Sequence, residues 1–237
     1  MADHPLLLVL GFVAVLMLSE LFRRRNLARL DREIRRRAKD LGNERPLMEL
    51  LDSPPAKIQL SRGSRALIRL NYYLNAANRE KLARMEEELP GLRLSDRDLL
   101  AAYGALFSHY AAAGDRQAAG ACREALGRQL ARPDADAARI LLLDMDCTLE
   151  LCSGGGEKLQ ELERLCRQQP DGDQKAVYQY MLAKGYLSMG RVAQSRELLR
   201  QAMENSSRQS DRQRLQALLE QGGTTNVPSN GEKAFGV

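Results

Sequence analysis

The four cysteines are the side chains of this sequence best suited to holding a metal ion. Cys147, Cys152 and Cys166 lie within one stretch, and Cys122 is the nearest further thiol. Four residues separate Cys147 from Cys152, which is at the edge of known zinc-site spacings, and no histidine lies near them in the sequence. Thiols that pack as small apolar side chains are the favoured interpretation. We therefore predict no metal site and no cofactor.

A glycine-rich segment and one histidine are the next candidates for chemistry. Residues 154 to 156 are all glycine and precede Glu157 and Lys158, but the order GxxxxGK[ST] and a preceding strand are missing. We therefore predict a flexible turn rather than a phosphate loop. His109 lies in a predicted helix without a cysteine or serine partner that would complete a triad, so it is predicted to serve packing or hydrogen bonding.

A DxDxT motif at residues 144 to 148 follows the apolar residues 140 to 143. It resembles the first motif of haloacid-dehalogenase phosphotransferases, in which the first aspartate is the nucleophile and the second the acid/base. The resemblance would give these roles to Asp144 and Asp146. That chemistry also needs later acidic residues for Mg²⁺ and a doubly wound sheet, whereas fewer than ninety residues follow and they are predicted to be helical. We predict no catalytic residues and no enzyme, with the phosphotransferase as an alternative.

The elements that must position these residues are predicted to be helices. Aromatic residues make up 5% of the chain, which has no tryptophan, and β-branched residues are scarce. Turn glycines near residues 114, 154 and 190 separate predicted helical pairs at the repeat lengths of α-solenoids. The predicted fold is all-α, with a domain of stacked helical hairpins over residues 56 to 220; a generic bundle of antiparallel helix pairs is the alternative.

The last hairpin resembles a tetratricopeptide repeat. The family spacing of small residue, tyrosine, turn glycine, small residue, large apolar residue and alanine is matched by Ala183, Tyr186, Gly190, Ser195, Leu199 and Ala202. The family usually has alanine at the position of Ser195 and an aromatic residue at that of Leu199. The unit around Gly114 fits in part, but Arg123 interrupts it, and the unit around Gly154 fits only as a hairpin.

This resemblance implies a groove in which partner peptides or helices bind. Carried over to the best-matching unit, the positions that face the groove are Val177, Tyr180, Lys184 and Leu187. They are the predicted partner-binding residues.

Positive charge is concentrated in one segment. Residues 23 to 45 contain ten Lys or Arg against four acidic residues, a net +6, whereas the whole chain carries +5. A nucleic-acid-binding domain is expected to carry its excess on the folded body, so we predict no nucleic-acid partner. The placement favours an anionic lipid surface. The predicted membrane-surface residues are Arg23, Arg24, Arg25, Arg35, Arg36 and Arg37.

Residues 5 to 22 are predicted to form a transmembrane helix. They are apolar except for Ser19 and Glu20, and eighteen residues at helical rise span about 27 Å. A cleaved signal peptide typically has positive charge before the apolar run and small residues after it. In this sequence the positive charge follows the run instead. A cleaved signal peptide and a buried helix are the alternatives. Because arginines follow the run, we expect the N-terminus outside and the C-terminal domain in the cytosol.

Residues 23 to 45 are predicted to form a basic juxtamembrane helix. Its apolar stripe consists of Leu27, Leu30, Ile34, Ala38 and Leu41. Three arrangements fit this stripe: a helix on the bilayer, a homodimer through residues 27 to 41, or a stalk packed on the domain behind it. Residues 221 to 237 are predicted to be disordered.

The sequence thus predicts a single-pass membrane protein that recruits an unidentified protein partner through its cytosolic helical domain. A membrane-surface module that binds anionic lipid through the basic segment is the main alternative, and the phosphotransferase is the other.

Overall fold

The computed structural model describes residues 24–133 and 135–220. These residues form helices and turns, without β-strands, which confirms the all-α prediction. The helices described within these ranges are α1 (24–37), α2 (Arg45–Asp52), α3 (Pro54–Gln59), α4 (Arg62–Asn75), α5 (Arg79–Glu88), α6 (Asp96–Ala112), α7 (Arg116–Gln129), α8 (Asp136–Leu151), α9 (Glu157–Gln168), α10 (Asp173–Ser188), α11 (Val192–Asn205) and α12 (Gln209–Glu220).

The chain divides into two compact units between Leu92 and Arg93. A 3-10 turn over Leu89–Gly91 ends the first unit, and α6 opens the second. The predicted repeat domain of residues 56 to 220 therefore extends over parts of both units. The predicted transmembrane helix (5–22) and the predicted tail (221–237) lie outside the described residues. Within the described part of the chain, none of the helices combines the length and apolar character needed to cross a bilayer.

Prolines open two helices in the first unit. Pro46 lies in the first turn of α2, and Pro54 and Pro55 begin α3. A proline in the first helical turn loses no hydrogen bond, because the N–H groups there have no partner within the helix. The Ser53 hydroxyl caps α3 by accepting from the Ala56 N–H.

Helix α1 packs its apolar stripe within the chain. Leu30 and Ile34 are buried, whereas Leu27 and Leu41 remain exposed. At its C-terminal end the Arg37 guanidinium donates to the carbonyl oxygen of Pro46 at 2.7 Å. This is the geometry of a stalk packed on the domain behind it. The homodimer through residues 27 to 41 stays a prediction.

Four hairpins share one turn geometry. They are α4–α5, α6–α7, α8–α9 and α10–α11, and each turns at a residue with positive φ: Ala77 (50°), Gly114 (74°), Gly154 (79°) and Gly190 (74°). In each turn the following N–H donates to the carbonyl five residues earlier, as in Asp115 to Tyr110 at 2.9 Å and Arg191 to Tyr186 at 2.8 Å. This is the Schellman motif. The turn residues are 37, 40 and 36 positions apart.

The same three positions are buried in every hairpin. Counted from the turn residue, they lie seven before, five after and twelve after. The first set is Leu70, Phe107, Cys147 and Ala183; the second is Leu82, Ala119, Leu159 and Ser195; the third is Leu89, Leu126, Cys166 and Ala202. The repeat is therefore one of burial pattern and turn geometry, although residue types vary strongly between the hairpins.

Hairpins of the second unit are stacked. Helix α8 contacts the first helix of the preceding hairpin, α6, and of the following one, α10. The second helix of each hairpin contacts the first helix of the next, as α7 does with α8 and α9 with α10. Helix α12 covers α11 and buries Leu215 and Leu218 against Leu199 and Ala202. The arrangement is a helical-repeat-like bundle compatible with a solenoid.

Candidate functional site

The predicted partner-binding residues lie on one face of α10 and are all half-buried. They stand thirteen, ten, six and three residues before the turn residue Gly190. Residues at the same four distances before the other turn glycines lie on the first helices of the preceding hairpins. Before Gly154 they are Leu141, Asp144, Thr148 and Leu151 on α8. Before Gly114 they are Ala101, Gly104, Ser108 and Ala111 on α6. None of these twelve residues is buried. We call them together the first-helix face.

Side chains join the first-helix face across neighbouring hairpins. The Lys184 ammonium on α10 donates to both carboxylate oxygens of Asp144 on α8, at 2.7 and 3.0 Å. On the other side of α8, a Cβ added to Gly104 of α6 would lie 3.5 Å from Leu141 Cδ2. The face is therefore continuous from α6 through α8 to α10.

The charges on the first-helix face neutralise each other. Burial of the Lys184 ammonium by itself lowers its pKa, but the Asp144 carboxylate, Tyr180 and the hydrogen bond to Asp144 together raise it above its usual value. Lys184 therefore stays protonated at neutral pH, with its ammonium 6.0 Å from the centroid of the Tyr180 ring. The remaining positions are small, apolar or hydroxyl-bearing, so the face as a whole suits an uncharged binding segment.

Arg123 departs from the repeat pattern because it bonds to the next hairpin. It stands nine residues after Gly114, where the resemblance expects a large apolar side chain. Its guanidinium donates to both oxygens of Asp146 on α8, at 2.6 and 2.7 Å. Glu163 stands nine residues after Gly154 and accepts from the Tyr186 hydroxyl on α10. At both positions polar contacts between hairpins replace the expected apolar filling.

The setting that the phosphotransferase motif requires is not formed. Residues 136–151, which include the DxDxT segment, are the helix α8 rather than a strand followed by a loop. Asp144 bonds to Lys184 and Asp146 to Arg123. The Thr148 hydroxyl donates within the helix to the Asp144 carbonyl oxygen at 2.8 Å. The two aspartates therefore connect hairpins. Because they are two residues apart on a helix, they point to nearly opposite sides of α8, one toward α10 and the other toward α7.

Three of the four thiols are buried, as the sequence suggested, and Cys152 is exposed. Burial, together with the nearby Asp144 and Glu150 carboxylates, raises the pKa of Cys147 to about 11. Burial also raises the pKa of Cys166. Within residues 24–133 and 135–220, no three Cys, His, Asp or Glu side chains come together in a group that could hold a metal ion.

The glycine-rich segment forms a capped turn. The Glu150 carboxylate accepts from the N–H groups of Glu157 and Lys158, at 2.7 and 2.6 Å, and so caps the start of α9. A Cβ added at Gly155 would lie 2.6 Å from Glu150 Cγ, so this position needs the space of a glycine while the cap is in place. The glycines therefore serve the hairpin turn, as the prediction of a turn rather than a phosphate loop requires.

The predicted membrane-surface arginines fall into different environments. Arg24, Arg25, Arg35 and Arg36 are exposed, and Arg23 lies outside the described residues. Arg35 pairs with Asp31 at 2.9 Å, and Arg37 pairs with Glu33 at 3.4 Å as well as with the Pro46 carbonyl. Runs of arginine in the sequence thus do not correspond to one surface of the helix.

A cleft in the first unit was not predicted. It has a volume of about 260 Å³ and is lined by Leu41, Gly42, Glu44, Tyr72, Tyr73, Ala76, Asn78 and Lys81. Lys81 pairs with Glu44 and lies 5.5 Å from the Tyr73 ring centroid. These residues are up to 40 positions apart in the sequence and show no common motif, so no local signal could have identified them.

Comparisons with protein-family models, with curated proteins and with solved structures found no match to this chain. The resemblance to tetratricopeptide repeats therefore rests on the residues noted in the sequence, chiefly those of the last hairpin.

Proposed function

We propose that this protein is a membrane-anchored scaffold that recruits a protein partner through the first-helix face of its second unit. The observation that carries the proposal is the continuity of that face over α6, α8 and α10, with half-exposed side chains at equivalent positions of three hairpins. Stacked helical hairpins commonly use such extended surfaces to bind peptides or helices of other proteins.

The chemistry of the first-helix face indicates the kind of segment it would bind. Its two charged side chains, Asp144 and Lys184, are paired with each other, and its α6 portion is made of alanine, glycine and serine. Small side chains allow close approach, while Val177, Tyr180 and Leu187 offer larger apolar contacts on α10. We therefore propose an uncharged, partly apolar peptide segment of the partner, extended or helical.

The membrane part of the proposal comes from the apolar residues 5 to 22 and the basic segment behind them. An anchor of this kind holds the face close to the bilayer and so raises the local concentration of the partner's membrane-proximal segments. The tetratricopeptide-like classification belongs to the same proposal, supported by the residues of the last hairpin.

Photo-crosslinking from the full-length protein in cells tests the proposed face. A photoreactive amino acid replaces Ser108, which is exposed on α6, and crosslinked proteins are identified by mass spectrometry. We expect a discrete partner whose crosslink yield falls about tenfold in Ala101→Arg, because a long charged side chain would then stand in the binding surface.

Ala121→Arg is the matched control. Ala121 is exposed on the second helix α7, outside the first-helix face, so the same substitution there should leave the crosslink yield unchanged. Equal yields from Ala101→Arg and the unsubstituted protein, or an equal loss in both variants, would contradict the proposed face.

A further inference from the structure

Four arginines of α1 form a ridge along one side of the helix. Arg25, Arg29, Arg32 and Arg36 are spaced by four, three and four residues, so at 3.6 residues per turn they fall within about 60° of one another. All four are exposed. Leu30 and Ile34 are buried on the opposite side of the helix, so packing of α1 turns this arginine ridge outward.

The acidic residues of α1 do not neutralise the arginine ridge. Asp31 pairs with Arg35 and Glu33 with Arg37, and neither of these arginines belongs to the ridge. Among the described residues, no carboxylate forms a salt bridge with any of the four ridge arginines. The ridge therefore presents four guanidinium cations that no described carboxylate pairs with.

We propose that the arginine ridge binds the phosphate groups of anionic phospholipids at the bilayer surface. The ridge is straight and extends over about 16 Å of helix axis, a shape that matches a plane of headgroups. Each guanidinium presents a planar fork of donors that fits phosphate oxygens. The ridge also begins three residues after the apolar segment 5 to 22, which places it where headgroups are expected.

Nucleic acid presents the same phosphate chemistry and is less well matched. Residues 46 to 237 have a net charge of only +1, so the rest of the chain adds little to a phosphate-binding surface. Attraction to an anionic leaflet requires only charges within a Debye length of the surface, which a single exposed helix supplies. The inference concerns a different surface from the first-helix face, so either can fail without the other.

Arginine modification by phenylglyoxal tests the ridge in the full-length protein. The purified chain is mixed with detergent-solubilised lipid and the detergent is removed, giving vesicles of phosphatidylcholine alone or with about a quarter phosphatidylglycerol. Modification rates are measured for each arginine by mass spectrometry. Arg128, Arg164 and Arg196 are exposed in the second unit and serve as internal references, which also corrects for chains facing the vesicle interior.

We expect the four ridge arginines to react about fivefold more slowly, relative to the references, on vesicles that contain phosphatidylglycerol. At 1 M salt, where the Debye length is about 3 Å, this protection should disappear. Equal relative rates on both kinds of vesicle, or protection that persists at high salt, would overturn the proposal.

A short DNA duplex added to neutral vesicles is the remaining arm of the experiment. Protection of the ridge by the duplex but not by phosphatidylglycerol would overturn the proposal in favour of nucleic acid. Flotation with phosphatidylcholine vesicles alone reports separately on the predicted transmembrane helix, because hydrophobic insertion does not need anionic lipid. Loss of flotation with retained ridge protection would count against the anchor only.

Discussion

Of the four hairpin turns described above, three have glycine at the residue with positive φ, and the fourth has Ala77. Its φ of 50° places it in the left-handed region, where a Cβ lies close to the following carbonyl oxygen. The turn nevertheless keeps the shared hydrogen bond, from the Asn78 N–H to the Tyr73 carbonyl oxygen at 3.1 Å. The strain at Ala77 is thus tolerated because the hairpin geometry requires a positive φ at this position.

We expect Ala77→Gly to stabilise the first unit by about 1 kcal/mol, because relief of the left-handed strain outweighs the added flexibility of the unfolded chain. Urea unfolding monitored by circular dichroism measures the change. Ala76→Gly is the matched control: residue 76 has a φ of −80°, so glycine there should give no gain. A gain of similar size in both variants would contradict this explanation.

Ser195 carries a polar atom that the second unit leaves unpaired. The residue is 1% exposed, and its hydroxyl has no hydrogen-bond partner. It occupies the position five residues after the turn glycine, where the equivalent residue of the α6–α7 hairpin is Ala119. The site therefore accommodates alanine in a neighbouring repeat of the same geometry.

Ser195→Ala should raise the free energy of unfolding by about 1 kcal/mol, since it removes the desolvation cost of an unpaired hydroxyl and leaves only a small space. Thermal unfolding gives the readout. Ser210→Ala, at an exposed position of α12, is the reference and should change stability by less than about 0.5 kcal/mol. A loss of stability in Ser195→Ala would show that the hydroxyl is bonded in solution.

At the residue scale, the sequence could place side chains on a helix but could not identify their partners. Val177 and Lys184, carried over from the tetratricopeptide resemblance, lie on one face of α10, and their role in partner binding stays a prediction. The arginines chosen as runs included Arg37, which bonds to the Pro46 carbonyl, and left out Arg29 and Arg32 of the ridge. The partners of Asp144 and Asp146 could not be predicted, because Lys184 and Arg123 lie 40 and 23 residues away.

At the scale of elements, two hairpins are closed by an acidic residue that begins the first helix. Asp96 of α6 accepts from the N–H groups of Ala131 and Arg132, at 3.0 and 3.1 Å. Asp173 of α10 accepts from the Ser207 N–H and hydroxyl, both at 2.6 Å. Each carboxylate fixes the chain that leaves the second helix, so the two ends of the hairpin are held together.

This closure predicts a pH dependence of stability. The hydrogen bond from the Ser207 hydroxyl, followed by that from its N–H, lowers the pKa of Asp173 below its ordinary value of 3.8. A carboxylate whose pKa is lower in the folded than in the unfolded protein stabilises the fold at pH values above its unfolded-state pKa. This contribution is lost as the pH falls through the folded-state pKa. Ser207→Ala should therefore destabilise at pH 7, and its difference from the unsubstituted protein should shrink below about pH 4.

Urea unfolding from pH 7 to pH 3 provides the measurement for Ser207→Ala. Because Asp173 is largely exposed, we expect the difference to be small but systematic. Asp173→Asn serves as the control, since with the ionisable group removed, Ser207→Ala in that background should have an effect independent of pH. A difference that stays constant with pH in the presence of Asp173 would exclude the proposed linkage.

The order of helices was largely predictable because glycine and proline mark it in the sequence. The hairpins of the second unit turn at Gly114, Gly154 and Gly190, the glycines that the sequence indicated. The helices α2 and α3 were not predicted. Proline in a sequence usually indicates the end of a helix, but it is equally compatible with the first turn of one, as in α2 and α3. The turn at Ala77 carried no glycine to reveal its left-handed geometry.

At the scale of the whole molecule, the repeat is defined by where side chains are buried rather than by which side chains they are. The buried position seven residues before the turn is filled by leucine, phenylalanine, cysteine and alanine in the four hairpins. Such variation is possible because each side chain needs only to match the volume left by its neighbours. It also explains why the sequence resemblance noted for the last hairpin is weaker in the other hairpins.

Cys152 offers a native probe of the predicted membrane topology. It is exposed, whereas Cys122, Cys147 and Cys166 are buried, and a pKa of about 11 keeps Cys147 in its unreactive thiol form near neutral pH. A membrane-impermeant maleimide should therefore leave the chain unlabelled in intact cells and label Cys152 after permeabilisation, if the domain is cytosolic. A cysteine introduced by Ala2→Cys should be labelled in intact cells, and Cys152→Ser should remove the signal that appears on permeabilisation. Labelling of Cys152 in intact cells would reverse the orientation inferred from the arginines behind the apolar segment.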